Sequence, residues 1–309
     1  MGPLTPDASG VLGRAPPGEA HRMKRPEVPA PVLVLLAIVS VQFGSAVART
    51  LFEDLGAAGV TLLRLALAAV ILGLVTRPAL RGWSGAAWRA AALLGVVMAG
   101  MNLIFYLALR TVPLGIAVTV EFLGPLLLAL VQTRRLLDLL WAALAGGGVI
   151  LLGAAGGGSA PLGGLLLAFL AGLFWAGYIV FSAKLGGIVP GTGGLTVSLA
   201  VAALLVLPFG AGGASAVLDD PRLLIGAAAV ALLSSVLSYG LEINALRRIP
   251  TRVFGILMSL EPAGAAIAGL LVLHQRLGAV EIIALVLVTA ASAGVTLTGA
   301  EPAEMAEAR

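Results

Sequence analysis

The stretch Ala108-Leu109-Arg110-Thr111-Val112-Pro113 returns 137 residues later as Ala245-Leu246-Arg247-Arg248-Ile249-Pro250. The same offset lays Gly124-Pro125 on Glu261-Pro262. A weaker echo, at a slightly different spacing, links Gly59-Val60-Thr61 to Gly193-Gly194-Leu195. The chain therefore reads as two copies of one unit, and the residues around these marks say what the unit is.

A helix that crosses a bilayer needs about 20 mostly apolar residues. Ten segments qualify: 31–48, 56–75, 88–108, 114–133, 137–155, 162–183, 193–211, 222–243, 251–272 and 279–298. The gaps are short and marked by Gly, Pro or charge, as at Arg77-Pro78, Arg134-Arg135, Gly186-Gly187 and Asp219-Asp220-Pro221. None could hold a folded soluble domain. Five helices per copy is an odd number, so the second copy must insert with the opposite orientation. Inverted repeats around a midplane site are a transporter architecture. The expected fold is an all-α membrane protein of ten transmembrane helices. Its two inverted five-helix repeats occupy 31–155 and 162–298, between an amino-terminal tail over 1–30 and a cytoplasmic tail over 299–309.

Composition agrees. Hydrophobic residues make up 60% and charged residues 11% of the 309, and mean hydropathy is +1.07. A soluble domain carries about a quarter charged residues, so here lipid is the solvent. The net charge of +4 does not indicate nucleic acid, because the basic residues sit in the gaps between apolar runs, where they orient helices in a bilayer. With the amino terminus in the cytoplasm, Arg49, Arg110, Arg222 and Arg276 face outside, Arg64 lies within a segment, and the other 14 of the 19 Lys and Arg face inside. Both termini are then cytoplasmic. The absence of Cys excludes disulfides and thiolate metal sites. With only His21 and His274, and His21 in the tail, a multi-histidine site within the membrane is excluded too. No metal or other cofactor is expected. Residues 1–22 contain no apolar face and are expected to be disordered and dispensable; Met23-Lys24-Arg25 is a plausible start. Nothing in the sequence specifies an oligomeric state.

The run Tyr106-Leu107-Ala108-Leu109-Arg110-Thr111-Val112-Pro113-Leu114-Gly115-Ile116-Ala117-Val118, continuing to Glu121-Phe122-Leu123-Gly124-Pro125, resembles the EamA branch of the drug/metabolite transporter superfamily. So does Ala245-Leu246-Arg247-Arg248-Ile249-Pro250 with Phe254-Gly255-Ile256-Leu257-Met258-Ser259-Leu260-Glu261-Pro262-Ala263. The pair is most similar to the threonine/homoserine exporter subgroup, and the similarity runs from about residue 30 onward. The resemblance implies a ten-helix inner-membrane exporter of small metabolites, driven by protons. One departure stands at the end of the ninth segment: members commonly carry a Glu there, and this chain has His274-Gln275-Arg276.

The residues that carry chemistry are those whose charge is costly in hydrocarbon. Glu121 lies about 12 Å along its helix from Pro113, and Glu261 about 16 Å along its helix from Pro250, at about 1.5 Å per residue. Both reach near the bilayer centre, one in each repeat. A charge there costs on the order of 3 kcal/mol, which a carboxyl can lessen by taking up a proton. Such a group suits proton exchange. The plain alternative is a carboxyl that caps a helix kink beside Pro125 or Pro262, since Pro262 cannot donate to the Met258 carbonyl. Arg64 cannot neutralise itself. It is a docking charge for a substrate carboxylate, or it pairs with Glu121 or Glu261, or it snorkels outward. Its counterpart in the second repeat is Ser198.

Asn102 and Tyr106 lie four apart on one helix face, and Tyr239 and Glu242 three apart on another. Asn102 and Tyr239 are candidates to line a polar cavity. For Tyr106 and Glu242, near helix ends, anchoring at the interface is the plain alternative. Trp175 and Tyr178 fall in mid-span, where one faces the cavity or both pack. Gln42 and Ser259 are expected to make interhelical hydrogen bonds. Gly146-Gly147-Gly148 lies within the fifth segment and permits close packing; Gly156-Gly157-Gly158 is a turn, and neither run has the Lys-Ser/Thr ending of a phosphate loop.

The sequence therefore points to a secondary transporter that exports a small amphiphilic metabolite, most simply an amino acid such as threonine or homoserine, by proton exchange. Its partners would be that small molecule, protons and the lipid bilayer. The rivals are a multidrug or nucleoside exporter, which a wide aromatic cavity would favour, a membrane enzyme acting on lipid-linked substrates, which needs acids clustered at an interface, and a structural membrane subunit, which needs no central ionisable residues.

Overall fold

A computed structural model of the chain describes residues 28–132, 136–154, 160–189 and 191–298. The expectations for residues 1–22, Arg134-Arg135, Gly156-Gly157-Gly158 and the tail after 298 lie outside the described residues. The helices are α1 Ala30–Thr50, α2 Phe52–Thr76, α3 Gly85–Ala108, α4 Leu114–Gln132, α5 Leu136–Ala154, α6 Leu162–Ile188 and α7 Gly193–Ala214. They continue with α8 Arg222–Leu246, α9 in two pieces, Thr251–Met258 and Glu261–Leu273, and α10 Ala279–Thr298. Among the described residues, nine helices are long and apolar enough to cross a membrane, and α5 contributes a shorter apolar stretch, Leu139–Leu152. A helix pairs its backbone groups within itself, which suits a spanning chain because hydrocarbon offers no partner to an open backbone N–H or C=O.

Helix starts follow the prolines. Pro113, Pro161 and Pro250 sit at the N-caps of α4, α6 and α9, where a missing N–H costs nothing. Gly186-Gly187 does not end its helix. α6 continues to Ile188, since glycine weakens a helix by only about 1 kcal/mol and the apolar surroundings favour paired backbone. Large side chains such as Leu74, Ile150, Leu204 and Phe209 are exposed. In a bilayer these face lipid.

The pairing of helices displays the repeat. Three helices pack on their own counterparts: α2 on α7, α4 on α9 and α5 on α10. The other large contacts come in matched couples. α3 on α6 is answered by α8 on α1, α1 on α9 by α6 on α4, and α3 on α7 by α8 on α2. This is the pattern of a two-fold relation between α1–α5 and α6–α10. With five helices in each half, one half runs opposite to the other.

Both members of the central α4/α9 pair are broken. α4 consists of Leu114–Glu121 and Leu123–Gln132, while α9 stops at Met258 and resumes at Glu261. The cause is local. Pro125 lacks the N–H that would bond the Glu121 carbonyl, and Pro262 lacks the one for Met258. Offset 137 places Glu121 on Met258, so each repeat breaks at the same register. Gly172 of α6 packs against the backbone carbonyl of Glu121, and Gly124 against the backbone of Gly172. Close packing at the glycine run of α5 is narrower than expected. A side chain at Gly148 would meet α10, but nothing lies within 4 Å of the Cβ positions at Gly146 and Gly147.

Candidate functional site

A cavity of about 450 Å³ lies between the two halves. Arg64, Asn102, Glu121, Trp175, Tyr178, Tyr239, Glu242 and Glu261 all line it. Six helices supply these eight residues, so the tertiary fold collects side chains that are up to 197 positions apart in sequence, from Arg64 to Glu261.

Arg64 is the most constrained of them. It is 6% exposed. Its Nη1 donates to the Tyr106 hydroxyl at 2.9 Å, its Nε to Ser235 Oγ at 3.2 Å and its Nη2 to the Ser234 carbonyl at 2.9 Å. Among the described residues no ion pair within 4.0 Å links it to Glu121 or Glu261, and at that burial it does not snorkel. Both plain alternatives for Arg64 give way to a hydrogen-bonded cradle. The cradle comes from a defect in α8. Leu232–Leu237 is a single π-helical stretch, which shifts the hydrogen-bond register and releases carbonyls from the regular ladder. Arg64 takes the carbonyl of Ser234, and Ser40 Oγ donates to the carbonyl of Leu233 at 2.7 Å. Three of the five guanidinium N–H groups are engaged by these bonds, leaving two for a ligand.

The carboxyls are arranged differently. Glu121 ends the first piece of α4 and Glu261 begins the second piece of α9, so each lies beside a backbone break. They are 8% and 7% exposed. Arg64, Glu121, Glu242 and Glu261 line the same cavity. Gln42 Nε2 donates to Glu261 Oε2 at 3.5 Å, while Gln42 Oε1 is buried without a partner. The interhelical bond expected of Gln42 is present. Ser259 instead donates within its own helix, to the Ile256 carbonyl at 2.6 Å.

Asn102 Nδ2 donates to the Met98 carbonyl at 2.8 Å and its side chain faces the cavity. Trp175 meets Phe122 edge-on at 5.2 Å, and Tyr178 stacks on Tyr239 at 6.2 Å. Both aromatic residues of α6 therefore pack and line the cavity at once. Tyr106 is no interfacial anchor. It is fully buried against Phe52 and Arg64, because α3 turns that side inward. Glu242 lines the cavity as well. Ser198, the counterpart of Arg64, shares its one hydroxyl proton between the Ala91 and Gly194 carbonyls, each 2.9 Å away, and serves helix packing. Ser234, Ser235 and Ser238 join the site although none of them carries a charge that marks it in the sequence. Their signal was the polar spacing Ser234, Ser235, Ser238, Glu242, one helix face within an apolar run.

The cavity has a direction. Its lining runs from Arg64 to Ala129, Ser182, Leu246 and Phe254, toward the ends of α4, α6 and α8 and the start of α9. The opposite end is packed shut. Leu55, Ala108, Leu109, Val112 and Leu114 are buried there, Arg49 Nε donates to the Leu109 carbonyl at 2.8 Å, and the Arg49 guanidinium lies 5.3 Å from the Phe52 ring centroid. The N–H of Leu114 donates to Gln275 Oε1 at 2.9 Å. Gln275, part of the departure from the resembled pattern, thus caps the start of α4.

The chain is similar to known proteins. The threonine/homoserine exporter RhtA of Salmonella typhimurium (strain LT2) is 42% identical over 271 residues, covering 87% of this chain and 92% of that protein. The exporter of the same name from Escherichia coli (strain K12) is 41% identical over 269 residues, covering 86% and 91%. A model of the EamA-like transporter family matches residues 162–297. The chain belongs to the EamA-like transporter family. As an EamA transporter it shares its fold with a solved crystal structure, 20% identical with a TM-score of 0.57, which covers 87% of this chain and 96% of that one. The family model spans α6 through α10, the second half of the EamA unit pair. Family membership makes the chain a membrane transporter and not an enzyme, so the cavity between its halves is the place to look for cargo.

Proposed function

We propose that this EamA transporter exports a small amino acid, threonine or homoserine in the first instance, across a bacterial inner membrane in exchange for protons. One observation carries the reading: one cavity between the two halves contains a guanidinium held by uncharged groups and three carboxyls, with no ion pair within 4.0 Å between the guanidinium and Glu121 or Glu261 among the described residues. Buried charges left unpaired in a membrane are costly and default to function. Arg64 offers its two remaining N–H groups to the substrate carboxylate. Glu121 and Glu261 carry the exchanged proton. Asn102, Tyr239 and Glu242 complete a polar wall, and Trp175 and Tyr178 close the apolar side. A volume of about 450 Å³ falls in the lower part of the range for small-ligand pockets. The relatives are named for threonine and homoserine, which supports that choice of cargo.

The basic-residue bias supports cytoplasmic termini. In that orientation the cavity opens to the cytoplasm, the loading state of an exporter, and the Arg49 end is the closed outer gate. The central position of Glu121 and Glu261 also argues against chemistry on lipid-linked substrates, which needs acids at the interface.

Efflux of a panel of amino acids from everted or reconstituted vesicles, with and without a pH gradient, tests the proposal. Threonine and homoserine should move, faster with the gradient. The aromatic wall of Phe105, Phe122, Trp175, Tyr178 and Tyr239 gives the nucleoside-exporter reading its one observation, so the panel includes nucleosides. Their transport without that of amino acids would replace the present reading.

A further inference from the structure

We propose that Gln42 is a substrate-contacting residue: with Glu261 it forms the subsite for the ammonium group of the cargo and sets the preference for amino acids over desamino analogues. The inference rests on the reading of the cargo as an amino acid.

Gln42 projects from α1 into the cavity wall, beside Ser45 and across from α9. It is 3% exposed. Its amide nitrogen reaches Glu261 Oε2 at 3.5 Å, a long contact, and its amide oxygen is buried with no donor. A glutamine that served only to join α1 to α9 would use both atoms, since a buried acceptor without a donor is destabilising. Glu261 brings two oxygens and Gln42 one, against the single long N–H contact between them. What such a cluster lacks is a compact group with several N–H donors, and an ammonium has three.

The opposite wall has the complementary surplus. Arg64 keeps two N–H groups unused by its cradle. The cavity is therefore donor-rich where α2 meets α8 and acceptor-rich where α1 meets α9. A zwitterion with a carboxylate and an ammonium matches that polarity in one orientation only. An analogue without the ammonium leaves the Gln42 and Glu261 oxygens unpaired. A site built around such groups rejects a ligand that lacks the matching donor far better than an apolar pocket does.

The test uses the full-length protein in proteoliposomes and counterflow of labelled L-threonine. Unlabelled L-threonine competes, as does 3-hydroxybutanoate, which is threonine with the ammonium replaced by hydrogen. In Gln42→Leu, half-saturation for threonine should rise about 10- to 100-fold, the loss of one hydrogen bond to a charged group. The wild-type discrimination between the two competitors should fall by the same factor. Gln42→Glu, which keeps an acceptor in place, should retain that discrimination. If Gln42→Leu weakens both competitors alike, or neither, Gln42 is a packing residue and the inference is overturned while the transport reading stands. If the wild-type protein shows no threonine counterflow, the transport reading fails and takes this inference with it.

Discussion

Arg64 Nη1 and the Tyr106 hydroxyl are joined by a 2.9 Å hydrogen bond, with the guanidinium also 5.4 Å from the centroid of the same ring. The bond crosses from α2 to α3 and fixes the guanidinium plane against the cavity. Tyr106→Phe should keep the ring and lose the bond. Substrate half-saturation should rise about tenfold with little change in protein yield, since a hydrogen bond to a charged group contributes about 1.5–3 kcal/mol. Arg64→Ala should abolish measurable binding, and Arg64→Lys should restore it only in part, because a point charge lacks the planar fork. Isothermal titration in detergent measures all three.

Glu121 and Glu261 separate a structural from a coupling role by a single atom change. Gln preserves shape and hydrogen bonding and removes titration. Gradient-driven efflux in Glu121→Gln and in Glu261→Gln should fall below about a tenth of wild type, beyond what a lost neutral hydrogen bond accounts for, while substrate binding survives in at least one of them. The two need not behave alike, since offset 137 puts Gly124 opposite Glu261 and Met258 opposite Glu121. Full proton-coupled efflux in the double variant would falsify the coupling assignment.

Gly124 and Gly172 let α4 and α6 touch backbone to backbone beside Glu121. Gly124→Ala should cost about 1–3 kcal/mol through overpacking and lower the detergent-solubilised melting temperature. Gly147→Ala, where nothing lies within 4 Å, should be neutral or stabilising, as helix propensity favours Ala. Equal melting temperatures for the two variants would refute the close helix crossing.

The natural chain has no cysteine, so single cysteines report cavity access without interference. Ser182→Cys should react with a membrane-impermeant maleimide in everted vesicles and resist it in intact cells. Val112→Cys, buried at the closed end, should resist it in both preparations. Labelling of Ser182→Cys from outside the cell would reverse the assigned orientation. A cytoplasmic reporter fused to the carboxyl terminus should be active on the same grounds.

The sequence by itself determined the solvent, the number of helices, their alternating direction and the doubling of the unit, because these depend on local quantities. Twenty apolar residues span a bilayer wherever they occur, and an odd repeat inverts whatever it packs against. It also marked the buried charges, since hydrocarbon makes each one conspicuous in a chain with 11% charged residues. Only the tertiary structure decided what those charges touch. That Arg64 rests on Tyr106 and the π-helical stretch of α8, and not on Glu121, depends on the rotation of three helices about their axes and on a one-residue shift of hydrogen-bond register at Leu232–Leu237. Neither leaves a periodic trace in sequence. Tyr106 shows the limit most plainly. Distance from the helix end suggested an interfacial ring, but the angular position of α3 buries it completely, and that angle is set by packing against α6 and α7, residues too distant in the chain for local pattern to encode.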